Sequence, residues 1–138
     1  MYFLIYLTER CDLDCSYCES AVSRARFAPE ISYNIDDLVA FLKKDDDLRI
    51  EFYGGEPLLR VSLIRELLDR VDCKHVLVQT SGFHLDRIDA SLLDKIHVFA
   101  VSLDGPKELT DRCRGAGVYD RAIEQATALR ARGFRGRI

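Results

Sequence analysis

Apolar runs built like strands alternate strictly with runs spaced like helices, and this alternation constrains the chain more than any single residue does. Tyr2–Thr8 is aliphatic and aromatic with almost no polar break, the pattern of a strand covered on both faces. Arg49–Tyr53, His75–Thr80 and His97–Ser102 repeat that character, and Arg135–Ile138 reads as the opening of a fifth strand. Between them, Asn34 is placed to cap a helix carrying Ile35, Leu38, Val39 and Leu42 on one face. Leu63, Ile64, Leu67, Leu68 and Val71 mark a second helix, and Ile88–Leu93 a short amphipathic stretch. Tyr119, Ala122, Ile123, Ala126 and Leu129 trace another helix, with Gly133 positioned to stop it. Residues 23–30 are basic and then turn-like, and the charge run 43–47 reads as a solvated loop. The whole predicts an α/β fold with a parallel sheet and right-handed crossovers.

The chemically unusual residues fall after strands, never after helices. Cys11-x3-Cys15-x2-Cys18 follows the first strand, and Gly54-Gly55-Glu56-Pro57 the second. Thr80-Ser81-Gly82 and Ser102-Leu103-Asp104-Gly105 close the third and fourth. In parallel α/β folds these loops share one edge of the sheet, the edge where active sites form. Three closely spaced thiols can wrap one compact inorganic object, and iron–sulfur clusters are usually held by four cysteines. Three would leave one iron of a four-iron cluster open, and an open position is what a catalytic metal needs. A structural zinc site is the competing reading, but it wants a fourth nearby Cys or His, and the next histidine is His75. Five cysteines, an odd number with no secretory signal, argue against a disulfide framework. Gly54 and Gly55 allow close approach of the backbone to a ligand, Glu56 offers acceptors for an ammonium group, and Pro57 stiffens the turn.

The cysteine loop, with Tyr17 just before its last cysteine, resembles the cluster loop of the radical S-adenosylmethionine enzymes. The resemblance implies a [4Fe–4S] cluster on Cys11, Cys15 and Cys18, with the open iron chelated by the amino and carboxylate groups of S-adenosyl-L-methionine. In that family an electron from the cluster breaks the sulfonium bond and yields a 5′-deoxyadenosyl radical. By the same likeness Gly54, Gly55 and Glu56 bind the methionine amino group. Ser102 and Arg114 meet the carboxylate and ribose end, with Arg112 as the competitor, and Tyr17 meets the adenine side. Asp104, Gly105, Asp111, Gly115, Gly117 and Tyr119 extend the likeness toward the peptide-modifying branch, typified by sulfatase-maturing enzymes. Two departures stand out: Ser81 where that branch often has Asn, and Thr110 where it tends to have His.

The family core is an open barrel of six βα units. Residues 1–138 supply about four and the start of a fifth strand, so they are expected to form the N-terminal portion of a partial (β/α) barrel. A cysteine-rich domain of the SPASM type would lie beyond them, with the substrate-side catalytic residue. The open sheet edge calls for the missing units, a partner or a second copy. Expected partners are a peptide or protein substrate and an electron donor such as ferredoxin or flavodoxin. A net charge of −3 with mixed signs gives no footprint for nucleic acid, and no apolar run approaches a membrane span. The expected setting is cytoplasmic and reducing. The alternatives are a non-catalytic zinc or iron–sulfur module and an activase from another radical branch. Cys73 and Cys113 read as bystanders, and His75 and His97 as surface residues on the edge opposite the site. His84 alone among the histidines falls on the site's edge.

Overall fold

Four parallel strands form one sheet in chain order: β1 (Tyr2–Tyr6), β2 (Arg49–Tyr53), β3 (His75–Thr80) and β4 (Val98–Val101). The structure is a computed structural model, and it describes residues 1–18 and 29–138. The basic stretch at 23–28 therefore lies outside the described residues. The crossovers carry α1 (Ile35–Leu42), α2 (Val61–Arg70) and α3 (Ala90–Leu93), while α4 (Lys107–Arg114) and α5 (Val118–Ala131) follow β4. The expected fifth strand begins as a parallel bridge between Arg137 and Val98, with Arg137 N–H donating to His97 O at 2.9 Å.

Register explains which side chains make the core. Ile5, Phe52, Val78 and Phe99 stand side by side across the sheet, and none is more than 5% exposed. Onto them pack Val39 and Leu42 of α1, Leu63, Ile64 and Leu67 of α2, Leu92 of α3 and Leu129 of α5. α1 starts where the sequence says it should, because Asn34 Oδ1 accepts from Asp36 N–H at 2.7 Å and Asp37 N–H at 3.3 Å. α5 stops at Gly133, whose φ of +100° suits glycine and whose N–H donates to Arg130 O.

The alternate residues point the other way. Leu4, Glu51, Leu77 and Val98 form one row on that face, and Tyr6, Tyr53, Gln79 and Ala100 stand one step nearer the strand ends. Leu4 is 56% exposed, so the expectation that the first strand is buried on both faces is corrected: among the described residues the helices cover only one. β1 is also an edge strand, and Tyr33 Oη donates to its Tyr6 carbonyl at 2.7 Å.

Two further differences have local causes. β1 stops at Tyr6, although Leu7 still donates to Tyr53 O, because Thr8 turns away to bridge Glu30 in the antiparallel sense. α4 has no apolar stripe and buries only Thr110, so hydrophobic spacing could not reveal it. Thr110 stands at the departure from the family pattern. Its Oγ1 accepts from Asp104 N–H and donates to Gly105 O, each at 3.1 Å, which fixes the loop after β4.

Candidate functional site at the strand ends

The loop after β2 lies directly on the cysteine loop. Gly55 N–H donates to Thr8 O at 2.7 Å and Glu56 N–H to Arg10 O at 2.8 Å. A Cβ on Gly54 would stand 2.5 Å from Thr8 O, and one on Gly55 2.3 Å from Arg10 O. The close approach these glycines permit is thus first of all to the neighbouring loop. On the other side, Ser16 N–H donates to Cys113 O at 2.9 Å, which pins the cysteine loop to the end of α4.

These contacts shape a cleft of about 650 Å³ at the strand ends, within the size range of small-molecule sites. Cys11, Cys15 and Cys18 line it together with Tyr17. Gly54, Gly55, Ser102 and Arg114 complete the predicted residues that it gathers. Tyr6, Glu9, Tyr53 and Gln79 also line it, and sequence reasoning missed them. Three of those four lie at strand positions of one parity, a signal that becomes readable once the described helices are seen to cover the other face.

All three thiols are half-buried. Burial pushes the Cys11 thiol up to about 11, although the Leu13 N–H, 3.4 Å from its sulfur, pulls the other way. Cys15 is raised by burial too, with the Arg114 cation opposing. A metal taken up by these thiols would therefore displace their protons, and its affinity would rise with pH. The donor set suits a cluster held by three cysteines.

Arg114, not Arg112, faces the cleft. Its Nε donates to Asp104 Oδ2 at 2.8 Å and its Nη2 to Oδ1 at 3.1 Å. Tyr17 Oη donates to the same Oδ1 at 2.7 Å, and the guanidinium sits 5.6 Å from the Tyr17 ring centre. Burial pushes the Asp104 carboxyl up, but hydrogen bonds from Arg114 and Tyr17 outweigh it and hold the group below the usual carboxylate range. Tyr17 is pushed up to about 12 by burial and by its bond to Asp104. A carboxyl lowered in the folded state adds stability above its unfolded value of about 3.9, and that stability is lost as pH falls through the folded value. Asp104→Asn should therefore flatten the acid limb of the metal-free chain's stability curve. Denaturant titrations at a series of acid pH values will show it.

Glu56 is the predicted site residue that the cleft does not gather. It is fully buried, with Thr80 Oγ1, Ser81 Oγ and the N–H groups of Leu58 and Ser81 all donating to its carboxylate. His84 Nε2 lies 2.7 Å from Asp12 Oδ2, so this histidine meets the cysteine loop. His75 and His97 sit at the far edge with ring centres 5.1 Å apart. Cys113 contributes its backbone carbonyl to the site, and Cys73 lies half-buried in the loop between α2 and β3.

Comparison with known proteins places the chain in a family. A protein from Archaeoglobus fulgidus of no assigned function is 33% identical over 116 residues, covering 82% of this chain and 28% of that protein. Mycofactocin maturase MftC of Mycobacterium tuberculosis is 31% identical over 136 residues, covering 94% of this chain and 34% of its own length. GTP 3′,8-cyclase of Corynebacterium glutamicum is 30% identical over 141 residues, covering 90% and 37%. The chain thus spans 28 to 37% of the length of these relatives. In fold it matches native anSMEcpe solved with bound AdoMet, at a TM-score of 0.72 and 21% identity over 99% of this chain and 42% of that one. The Radical SAM superfamily model matches residues 5–138, and the chain belongs to that superfamily.

Proposed function

We propose that this chain binds a [4Fe–4S] cluster through Cys11, Cys15 and Cys18 and S-adenosyl-L-methionine beside it, as part of a radical enzyme that modifies a peptide or protein. The observation that carries this reading is the convergence of three cysteine thiols, two close-packed glycines and one arginine on a single cleft. The bound cluster would supply the electron that cleaves the sulfonium bond of S-adenosylmethionine. Everything else falls to the chain. Asp104 takes Nε and Nη2 of Arg114, which leaves Nη1 outside the pair to meet the ligand carboxylate. Ser102 lines the same cleft and has a hydroxyl to offer, and the Gly54–Gly55 backbone offers carbonyl acceptors for the ammonium group. Tyr17, held at both its ring and its hydroxyl, is fixed as a wall for the adenine side. The protein's share is position and exclusion of solvent. A small electron carrier such as ferredoxin or flavodoxin would reduce the site.

Peptide modification follows from the maturase relative and from the likeness of the loop after β4 to the peptide-modifying branch. The cyclase relative is almost equally similar, so a nucleotide substrate is the second reading. Anaerobic loading with iron and sulfide should give a four-iron cluster whose electron paramagnetic resonance signal shifts on adding S-adenosylmethionine. Under dithionite, 5′-deoxyadenosine should form. Stoichiometric zinc that iron cannot replace, with no signal shift, would instead establish a metal-binding module.

A further inference from the structure

Two hydrogen bonds reach each oxygen of the Glu56 carboxylate. Oε1 accepts from Leu58 N–H at 3.0 Å and from Thr80 Oγ1 at 2.8 Å. Oε2 accepts from Ser81 N–H and from Ser81 Oγ, both at 2.8 Å. That is the full accepting capacity of a carboxylate, and the group is 0% exposed. An arriving ammonium group would find no vacant acceptor there. We infer that Glu56 is a positioning residue: its carboxylate clamps the loop after β2 to the turn after β3, and so holds the Gly54–Gly55 backbone against the cleft without touching the ligand.

The clamp continues past its own contacts. Thr80 Oγ1 accepts from Gly82 N–H at 3.0 Å and Ser81 Oγ from Phe83 N–H at 3.4 Å, so the hydroxyls that donate to Glu56 also shape the turn. The same turn delivers His84 to Asp12, inside the cysteine loop. Ser81, where the family branch often has Asn, gives Glu56 both a hydroxyl and an amide donor. The donor types make the clamp specific for a carboxylate. Leu58 N–H and Ser81 N–H are backbone donors that cannot reverse, and one faces each oxygen. In Glu56→Gln the side-chain NH2 must oppose one of them whichever way the amide is turned. A near-isosteric change therefore leaves a buried donor facing a donor.

Hydrogen exchange on the metal-free chain tests the clamp without any cofactor. The amides of Leu58 and Ser81 should be protected in the wild type, and at least one of the two should exchange about tenfold faster in Glu56→Gln. The sheet amides of Phe52 and Val78 should not change. Equal exchange of Leu58 and Ser81 in both proteins overturns the proposal. The second arm rests on the cofactor reading above and titrates the iron-loaded chain with S-adenosylmethionine. Glu56→Gln and Ser81→Ala should each weaken binding, by about tenfold, at unchanged iron content. The double variant should bind no more weakly than Glu56→Gln alone, because both act through one turn. If Ser81→Ala were silent while Glu56→Gln abolished binding, Glu56 would be a direct contact and the proposal would fall. A chain that never responds to S-adenosylmethionine would refute the cofactor reading, and the exchange arm would still decide the role of Glu56.

Discussion

Cys15→Ala should leave the chain folded but lower its iron content after anaerobic loading by at least about tenfold. Cys15 sits in a loop outside the sheet, half-buried, so its removal opens no cavity in the core. It nevertheless supplies one of only three sulfur donors that the described residues place on the cleft. Circular dichroism should be unchanged, while iron analysis and 5′-deoxyadenosine formation collapse together. The controls are built into the chain. Cys73→Ala lies away from the cleft, and Cys113→Ala keeps the backbone carbonyl that receives Ser16 N–H. Both should load iron as the wild type does. Equal loss in all three would mean that iron uptake reflects thiol number and not this loop.

The second large effect is expected at Gly55→Ala. The new methyl would stand 2.3 Å from Arg10 O and 2.7 Å from Glu9 O, and both are backbone atoms that cannot swing aside. Either the loop after β2 lifts or the cysteine loop does, and each loses the bonds at Thr8 O and Arg10 O that now join them. Overpacking of this kind costs about 1–3 kcal/mol. Denaturant unfolding should show a loss of that order in the metal-free chain. Iron loading should fall as well, because the lifted loop carries or borders the thiols. Unchanged stability would mean that the two loops are not in contact.

Much of this arrangement was legible in the sequence because it depends on local pattern. Asn34, the leucines of α2 and Gly133 each act through their nearest neighbours, and each does what its spacing implies. The three cysteines and Gly54–Gly55 were legible for a related reason: their positions after strands fix the edge they share. What stayed hidden depends on tertiary context. Leu4 reads as a core residue until one knows that, among the described residues, the helices cover only the opposite face. α4 has no apolar period to find. Glu56 carries the residue type of a ligand, and only the donors arriving from Thr80, Ser81 and Leu58 show its capacity to be filled. Gln79 and Tyr6 gain significance from register, which no single stretch of sequence contains.

Among the described residues the helices cover one face of the sheet, and this separates two kinds of position along every strand. A change at Phe52, Val78 or Phe99 disturbs a packed interior and is paid for in stability, whereas one at Leu4, Leu77 or Gln79 meets far less of it. Successive residues on one strand thus face alternately the packed interior and the uncovered side, where Tyr6, Tyr53 and Gln79 reach the cleft. Substitutions on that side can therefore reshape the cleft in steps of two residues while the interior stays fixed.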